Sequence, residues 1–486
     1  MDDITECFSR GCDAFENGYL VKAIFWFEQV IAIKDHSPTY SNLSSCYFQL
    51  GRLTEAENAA RAAIKCNPKD SDAYMRLAII YRDYGNIPSA MSHYDASIAL
   101  KKDPQAMSNR LLCSQYWTSD SMEYFARLPK IAPKYDHLDR PEHDFRIGYV
   151  GSSFRTHACM YFFEHVLPHH NCKVHIYSDT PEDGLSNRLK LFCNWFDCRG
   201  LPNNALASKI KCDNIDVLID LQGHAGLNRL GMFALKPAPV QVTYLGYPNT
   251  TGIDAIDYRI VDNVTDPANS NEWYSEKLHR LEAPFVSYAG PNHEIPKRPD
   301  RKPVFFSFAN SPKLNKAVLD VFAEISKDHK LIIKNPSTRD ARYCEMLQES
   351  LPRAEIRPYN LDQAEHFEQY QDVDIMLDTW PYNGTTTLCE ALWMGCPVVT
   401  MCGDVHRSRV GRSLLSVLKL DSMVATTKGE YISKALKLAG DADFLHTFQQ
   451  GIREYMGNSV LCDGKLMANK LEAAYKSFYE RWKNEG

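Results

Sequence analysis

From about residue 144 onward the chain sets short apolar runs between stretches of helical length. Ile147-Gly148-Tyr149-Val150, Val174-His175-Ile176-Tyr177, Val217-Leu218-Ile219-Asp220-Leu221 and Val240-Gln241-Val242-Thr243-Tyr244-Leu245 form the first group. Runs of this length, separated by segments long enough for a helix, predict buried strands of a parallel sheet. The Pro-rich stretch Pro296 to Pro303 interrupts the alternation. It restarts with Val304-Phe305-Phe306-Ser307-Phe308, Leu331-Ile332-Ile333-Lys334, Asp374-Ile375-Met376-Leu377-Asp378 and Val398-Val399-Thr400-Met401. Two doubly wound lobes are expected, with a ligand at the carboxyl ends of their strands. Residues after about Asp441 predict helices that close the fold.

The N-terminal part has a different period. Tyr40, Leu43, Tyr47, Gly51, Ala56 and Ile64 recur 34 residues later as Tyr74, Leu77, Tyr81, Gly85, Ala90 and Ile98. That spacing is tetratricopeptide-like, with Tyr40 in place of the usual leading Trp. Ala63 and Pro68 fit the same pattern, and a weaker first repeat keeps Gly11, Gly18, Ala23 and Phe27. Three helix pairs are predicted over residues 1–104, followed by an apolar stretch, Leu111-Leu112-Cys113 and Tyr116-Trp117, that can cap them. Each pair buries small residues against the next and leaves a concave face open to extended peptide; packing alone is the plainer alternative. A bridge rich in Pro and charge, Pro129 to His143, then leads into the lobes.

Composition narrows the class. Hydrophobic residues make up 44% of the 486 and charged residues 24%, as in an ordinary globular protein. Lys and Arg number 55 against 61 Asp and Glu, so no basic field for nucleic acid is present. The acidic start Met1-Asp2-Asp3-Ile4-Thr5-Glu6 lacks the features of a signal peptide, and no apolar run approaches the ~20 residues of a membrane span. A cytoplasmic protein is expected, without nucleic-acid or membrane partners. The 15 cysteines include no Cys-x-x-Cys pair, and reduced thiols are expected.

Candidate chemistry concentrates in Leu377-Asp378-Thr379-Trp380-Pro381-Tyr382-Asn383-Gly384-Thr385-Thr386-Thr387-Leu388-Cys389-Glu390. A strand ends, Pro and Gly turn the chain, and Thr385 to Thr387 open a helix whose free amides and dipole favour an anion. Glu390, one turn along, can accept from a ribose diol. The plainer alternative makes the threonines an N-cap and Glu390 a solvated helix residue. Gly395-Cys396-Pro397 returns the helix to a strand and completes a unit around the expected phosphate.

This stretch resembles nucleotide-diphosphate-sugar transferases of the GT-B fold, and more narrowly the protein O-GlcNAc transferase family with its SPINDLY-type O-fucosyltransferases. Further signatures are Ile147-Gly148-Tyr149-Val150 with Phe154-Arg155-Thr156-His157, Asp220-Leu221-Gln222-Gly223-His224, and Lys236-Pro237-Ala238-Pro239-Val240 running on to Thr251-Gly252. The resemblance covers about residues 144–484. It implies an α/β fold with an all-α N-terminal part: tetratricopeptide helix pairs at 1–104, a bridge at 105–143, Rossmann-like lobes at 144–300 and 301–445, and closing helices at 446–486.

By the same resemblance, Lys313 contacts the donor diphosphate, Asn310 faces the nucleotide, His366 stacks on or near the base and Glu390 binds the ribose. Leu245-Gly246-Tyr247-Pro248 lies beside the donor sugar, and Asn383, Gly384, Thr385, Thr386 and Thr387 belong to the donor site. His157 matches a histidine considered for base or acceptor-positioning duty, and an imidazole suits proton transfer at neutral pH. His224 is a second candidate, and the acceptor proton can instead leave through donor phosphate or water. Asn42 fits one rung of the family's Asn ladder for peptide, whereas Arg76 replaces the next.

Thr385 stands where the animal enzymes have His, and Gln363 where they have Lys, so the donor contacts differ. The activity implied is metal-independent, inverting transfer of GlcNAc from UDP-GlcNAc to Ser or Thr of protein, with no resident cofactor. GDP-fucose or another sugar donor is the alternative, and a non-catalytic scaffold a lesser one. Asp372-Val373-Asp374, Asp70-Ser71-Asp72 and Asp441-Ala442-Asp443 each have a structural explanation and are not expected to bind metal. No Gly-x-Gly-x-x-Gly follows the first strand, which disfavours a dehydrogenase.

Overall fold

The computed structural model describes residues 2–117, 132–137, 140–297, 299, 301–359 and 362–485. The chain forms two compact units, one from residues 1–118 and 302–369, the other from 119–301 and 370–486. Much of the expected bridge, including Pro129, lies outside the described residues.

In the first unit the repeats are helix pairs: α1 (Asp2–Glu16) with α2 (Leu20–Ile33), α3 (Ser37–Gln49) with α4 (Leu53–Cys66), and α5 (Ser71–Asp83) with α6 (Ile87–Leu100). The predicted apolar cap is α7 (Pro104–Ser114). Ala56, Ala60, Ala63, Ala78 and Ala90 are completely buried, which lets successive helices approach closely. Asp70 caps α5 by accepting from the Ala73 amide, and the Ser37 hydroxyl donates to the same carboxylate at 2.5 Å. One Asp thus starts a helix and ties its repeat to the preceding one, which accounts for the Asp70-Ser71-Asp72 motif without a metal.

The first sheet, in the second unit, has seven strands: β1 (Arg146–Gly151), β2 (Lys173–Ser178), β3 (Asn194–Asp197), β4 (Val217–Asp220), β5 (Val240–Thr243), β6 (Tyr258–Asp262) and β7 (Lys277–Leu281). Their order is 3-2-1-4-5-6-7, and every pairing is parallel. The order reverses between β1 and β4, the switch point at which such sheets hold ligands. Three strands escaped the apolar pattern. β3 and β7 are half-exposed edges, and β6 carries the buried Arg259, whose guanidinium donates to the Tyr247 and Asn249 carbonyls.

Within residues 302–369, β8 (Phe305–Ser307), β9 (Leu331–Ile333) and β10 (Glu355–Ile356) pair in parallel with β9 central. This segment docks directly on the repeats. The Thr54 amide and hydroxyl donate to Asp340 at 2.8 and 3.2 Å, Arg342 pairs with the buried Glu57 at 2.8 Å, and the Ser337 hydroxyl donates to the Asp83 carbonyl at 3.0 Å. Ser337 also meets the Ser311 hydroxyl at 2.8 Å, so the turn that carries Lys313 rests on α5 through one serine.

The second unit continues with β11 (Ile375–Leu377), β12 (Val398–Met401) and β13 (Val424–Ala425), again parallel. The expected closing helices are Ala442–Gly457 and Gly464–Glu485. The last returns to the first sheet, where Phe478 stacks on Tyr258 with ring centroids 3.8 Å apart. Asp441 caps its helix through the Phe444 amide, and Asp374 pairs with Arg301, so neither motif is an open pair of carboxylates. All 15 cysteines are free thiols. Among the described residues no helix is long and apolar enough to cross a membrane.

Candidate functional site

At the carboxyl ends of β4 and β5 the backbone is tightly interlocked. Asp220, the last residue of β4, accepts from the Gln222 and Gly223 amides at 3.0 and 2.8 Å and from the Thr243 hydroxyl at 2.8 Å. Burial pushes its carboxyl above the ordinary range, opposed by those three donors. Gln222 bridges to Ser152 and Ser153 after β1. Leu245 has φ +76°, and a side chain at Gly246 would run into the Leu221 carbonyl oxygen. The predicted loop Leu245-Gly246-Tyr247-Pro248 is thereby fixed against Leu221 to His224, with Tyr247 fully buried.

A matching arrangement follows β11. Asp378 accepts from the Gly384 amide at 2.7 Å and from the Thr400 hydroxyl at 2.6 Å. A side chain at Gly384 would collide with the Thr387 hydroxyl, so only glycine allows the turn to approach the helix start. Asn383 is completely buried: its carboxamide donates to the Thr379 and Met401 carbonyls and accepts from the Gly411 amide. It braces the loop. The helix Thr386–Trp393 follows, with Thr385 at its N-cap position but no side-chain capping bond. Thr385, Thr386 and Thr387 are half-buried, which leaves their hydroxyls and the first amides available to an anion. Glu390 is buried rather than solvated, and its charge raises the pKa of the Tyr161, Tyr288 and Tyr370 hydroxyls, though burial is the larger cause for each.

The remaining donor candidates belong to the first unit. Lys313 ends the short 3-10 turn Ser311–Lys313 after β8 and is half-buried, while Asn310 is exposed. His366 lies on the helix Gln363–Glu368, and its Nδ1 is 2.8 Å from the Lys334 ammonium. Lys334 directly follows β9, is only 1% exposed, and sits 4.5 Å from the Phe308 ring centroid. An ammonium can only donate, so it holds His366 as the Nε2–H tautomer. The side chain of Gln363 lies outside the described residues.

The two histidines offered for proton transfer differ. His157 accepts from the Cys159 amide through Nδ1 at 3.2 Å, and crowding by the chain together with Arg155 lowers its pKa. A neutral ring with Nδ1 so occupied carries its proton on Nε2 and presents a donor. His224 is buried, donates through Nε2 to the Thr251 carbonyl at 2.8 Å, and has its pKa lowered to about 4 by burial. It packs edge-on to Tyr247 as a neutral support. Asn42 is half-buried on α3, within the repeats.

The sequence reading missed Lys334, Arg407 and His406. Arg407 follows β12, is 2% exposed, and is coupled electrostatically to Tyr247, Tyr382 and Tyr274, with burial lowering its pKa. His406 Nδ1 lies 2.6 Å from the Asp266 carboxylate, which is held well below the usual carboxylate range by that histidine and by Tyr274. Each follows the carboxyl end of a parallel strand, and that placement was the available signal. Among the described residues the cluster of His, Cys and acidic groups closest to a metal-ligand arrangement is His170, Cys172 and Glu472. It contains none of the donor candidates, and Glu472 already accepts from the Asn171 amide and the Lys476 ammonium.

The family model of glycosyl transferase family 41 matches residues 104–294 and 297–471, and a tetratricopeptide repeat model matches 37–70. A tomato protein described as a probable UDP-N-acetylglucosamine–peptide N-acetylglucosaminyltransferase SPINDLY is 38% identical over 421 residues, 79% of this chain and 45% of its own length. An Arabidopsis thaliana protein with the same description but named SEC is 29% identical over 363 residues, 69% of this chain and 37% of its own. The chain therefore spans less than half the length of these relatives. A solved structure of a lysine-to-methionine mutant of Thermobaculum terrenum O-GlcNAc transferase superposes with TM-score 0.91 at 28% identity, covering 100% of this chain and 99% of that one.

Proposed function

Because the chain belongs to glycosyl transferase family 41, we propose that it is an inverting, metal-independent protein O-glycosyltransferase that moves GlcNAc from UDP-GlcNAc to Ser or Thr hydroxyls. The observation that carries this reading is the Thr385–Thr387 helix start, whose hydroxyls are not used for capping and whose preceding loop is braced by Asp378 and Asn383. A diphosphate is the anion such a tip accommodates. In the reaction the acceptor oxygen bonds to the anomeric carbon as the bond from that carbon to the diphosphate oxygen breaks. The amides and hydroxyls of the helix tip hold the departing phosphate and offset its charge. His157, carrying its proton on Nε2, positions by donation, and the acceptor proton leaves to the donor phosphate or to water.

A second reading keeps the scaffold and takes GDP-fucose; Thr385 in place of the animal-type His favours it. Thermal unfolding of the full chain with UDP, GDP, UDP-GlcNAc and GDP-fucose separates the two, because a ligand that binds the folded state raises its apparent stability. Stabilisation by uridine compounds, followed by a HexNAc increment on an acceptor protein in intact-mass spectrometry, is expected. Stabilisation by guanosine compounds alone overturns the donor assignment.

A further inference from the structure

Asn42 and Arg76 occupy the same position in consecutive repeats, 34 residues apart on α3 and α5, and therefore face the same way. That face belongs to the first helix of each pair, the row that lines the concave side of such repeats. The Asn42 amide lies 3.8 Å from Cys12 Sγ on α1, and Cys46, one turn further along α3, is completely buried and feels the charge of Arg76.

The repeats and the capping helix α7 together contain six arginines. Five are paired with a carboxylate: Arg10 with Glu6, Arg52 with Glu55, Arg61 with Glu57, Arg82 with Asp83, and Arg110 with Asp95. Arg76 is the exception among the described residues. It forms no ion pair or hydrogen bond, its Nε is buried without a partner, and burial lowers its pKa against the weaker opposing charge of Asp72 one turn earlier on α5. A half-buried guanidinium is seldom left so, because removing it from water is costly unless an anion replaces the lost hydration. Its planar fork fits a carboxylate in two parallel hydrogen bonds.

We propose that Arg76 is an acceptor-selecting residue, which takes an Asp or Glu side chain of the extended polypeptide lying along the concave face of the repeats. This rests on the proposed protein-modifying function for its purpose, but its test reads peptide binding alone, with no sugar donor present. Fluorescent 14-residue peptides, each with one Ser among Ala, Gly, Val and Thr and a single Glu, Gln or Lys walked along it, are titrated against the full chain by polarisation.

At one register the Glu peptide is expected to bind about tenfold tighter than its Gln counterpart, the scale of a charge-assisted pair. The advantage should shrink as salt rises. Arg76→Ala should abolish it, and Arg76→Glu should turn the preference to Lys at that same register. Arg76→Ala should unfold at or above the wild-type temperature, since it removes a largely desolvated cation that has no ion pair or hydrogen bond and only the nearby charge of Asp72 to offset its burial. Equal binding of Glu and Gln peptides at every register, no binding by any peptide, a preference that survives Arg76→Ala, or a marked loss of stability in that variant each overturns the proposal. Absence of nucleotide stabilisation, by contrast, would refute the donor assignment and leave this measurement intact.

Discussion

The loops after β4 and β11 are built on one device and reach opposite ends. β4 ends in a buried Asp and β11 is followed by one, each Asp accepts an amide from the turn that follows, and each takes a hydroxyl from a Thr on the next parallel strand: Asp220 from Thr243, Asp378 from Thr400. Asp220 and Thr243 are direct register partners, and Leu377 pairs with Val399 one residue before the second couple. After β4 the loop folds inward, packs His224 under Tyr247, and engages its polar groups within the protein. After β11 it opens into a helix whose threonines remain half-buried and uncapped. A shared brace therefore does not define a ligand site. The groups left unsatisfied beyond it do.

Lys313 matches the family lysine at the donor diphosphate, and the largest expected effect is there. Lys313→Ala should lower single-turnover transfer by about 10²–10³-fold, the scale for losing one preorganised charge partner in a transition state, with the unfolding temperature unchanged. Wild-type turnover in that variant would remove Lys313 from the donor site.

Substituting the two aspartates tests the comparison itself. Asp220→Ala and Asp378→Ala should each cost about 3 kcal/mol of stability by urea titration, since each strips several charge-assisted hydrogen bonds. Only Asp378→Ala should also weaken UDP binding, measured calorimetrically at a temperature where both variants are folded. Equal weakening would break the contrast.

The closed loop should also have its own pH dependence. His224 has a folded pKa of about 4 against an ordinary 6.5, so between those values the unfolded chain binds a proton that the folded chain refuses. Its contribution is complete above about pH 6.5 and is lost as the pH falls towards 4, by up to about 3 kcal/mol. Urea titrations at pH 7, 5.5 and 4.5 should give a shallower decline for His224→Asn than for wild type, with UDP affinity at pH 7 unaltered. Smallest are the hydroxyls at the open helix start. Thr385→Val and Thr386→Val should each weaken UDP binding about fivefold without moving the unfolding temperature. A loss of stability instead would mean that those hydroxyls support the fold.

Much of the scaffold was legible because burial writes local patterns. Val398 to Met401 is a strand as expected, and the repeat from Tyr40 to Pro68 returns as α3 and α4. β6 escaped because Arg259 interrupts its apolar run, a cation whose hydrogen bonds go to carbonyls of the loop after β5. Lys334 looked like a strand end, and its burial beside Phe308 and His366 depends on a helix some thirty residues later. The seating of the repeats on Asp340 and Arg342 left no local signal at all, since Thr54 and Glu57 lie far away in sequence.

The sequence by itself determined the repeats, the parallel sheets and the strand ends where chemistry gathers, because apolar spacing and turn residues act over a few neighbouring positions. Only the tertiary structure decided which polar groups there are already engaged. Asn383 is taken up by Thr379, Met401 and Gly411, whereas Thr385 beside it caps nothing. Hydrogen-bond satisfaction is settled by partners brought together from distant segments, and no local pattern encodes it.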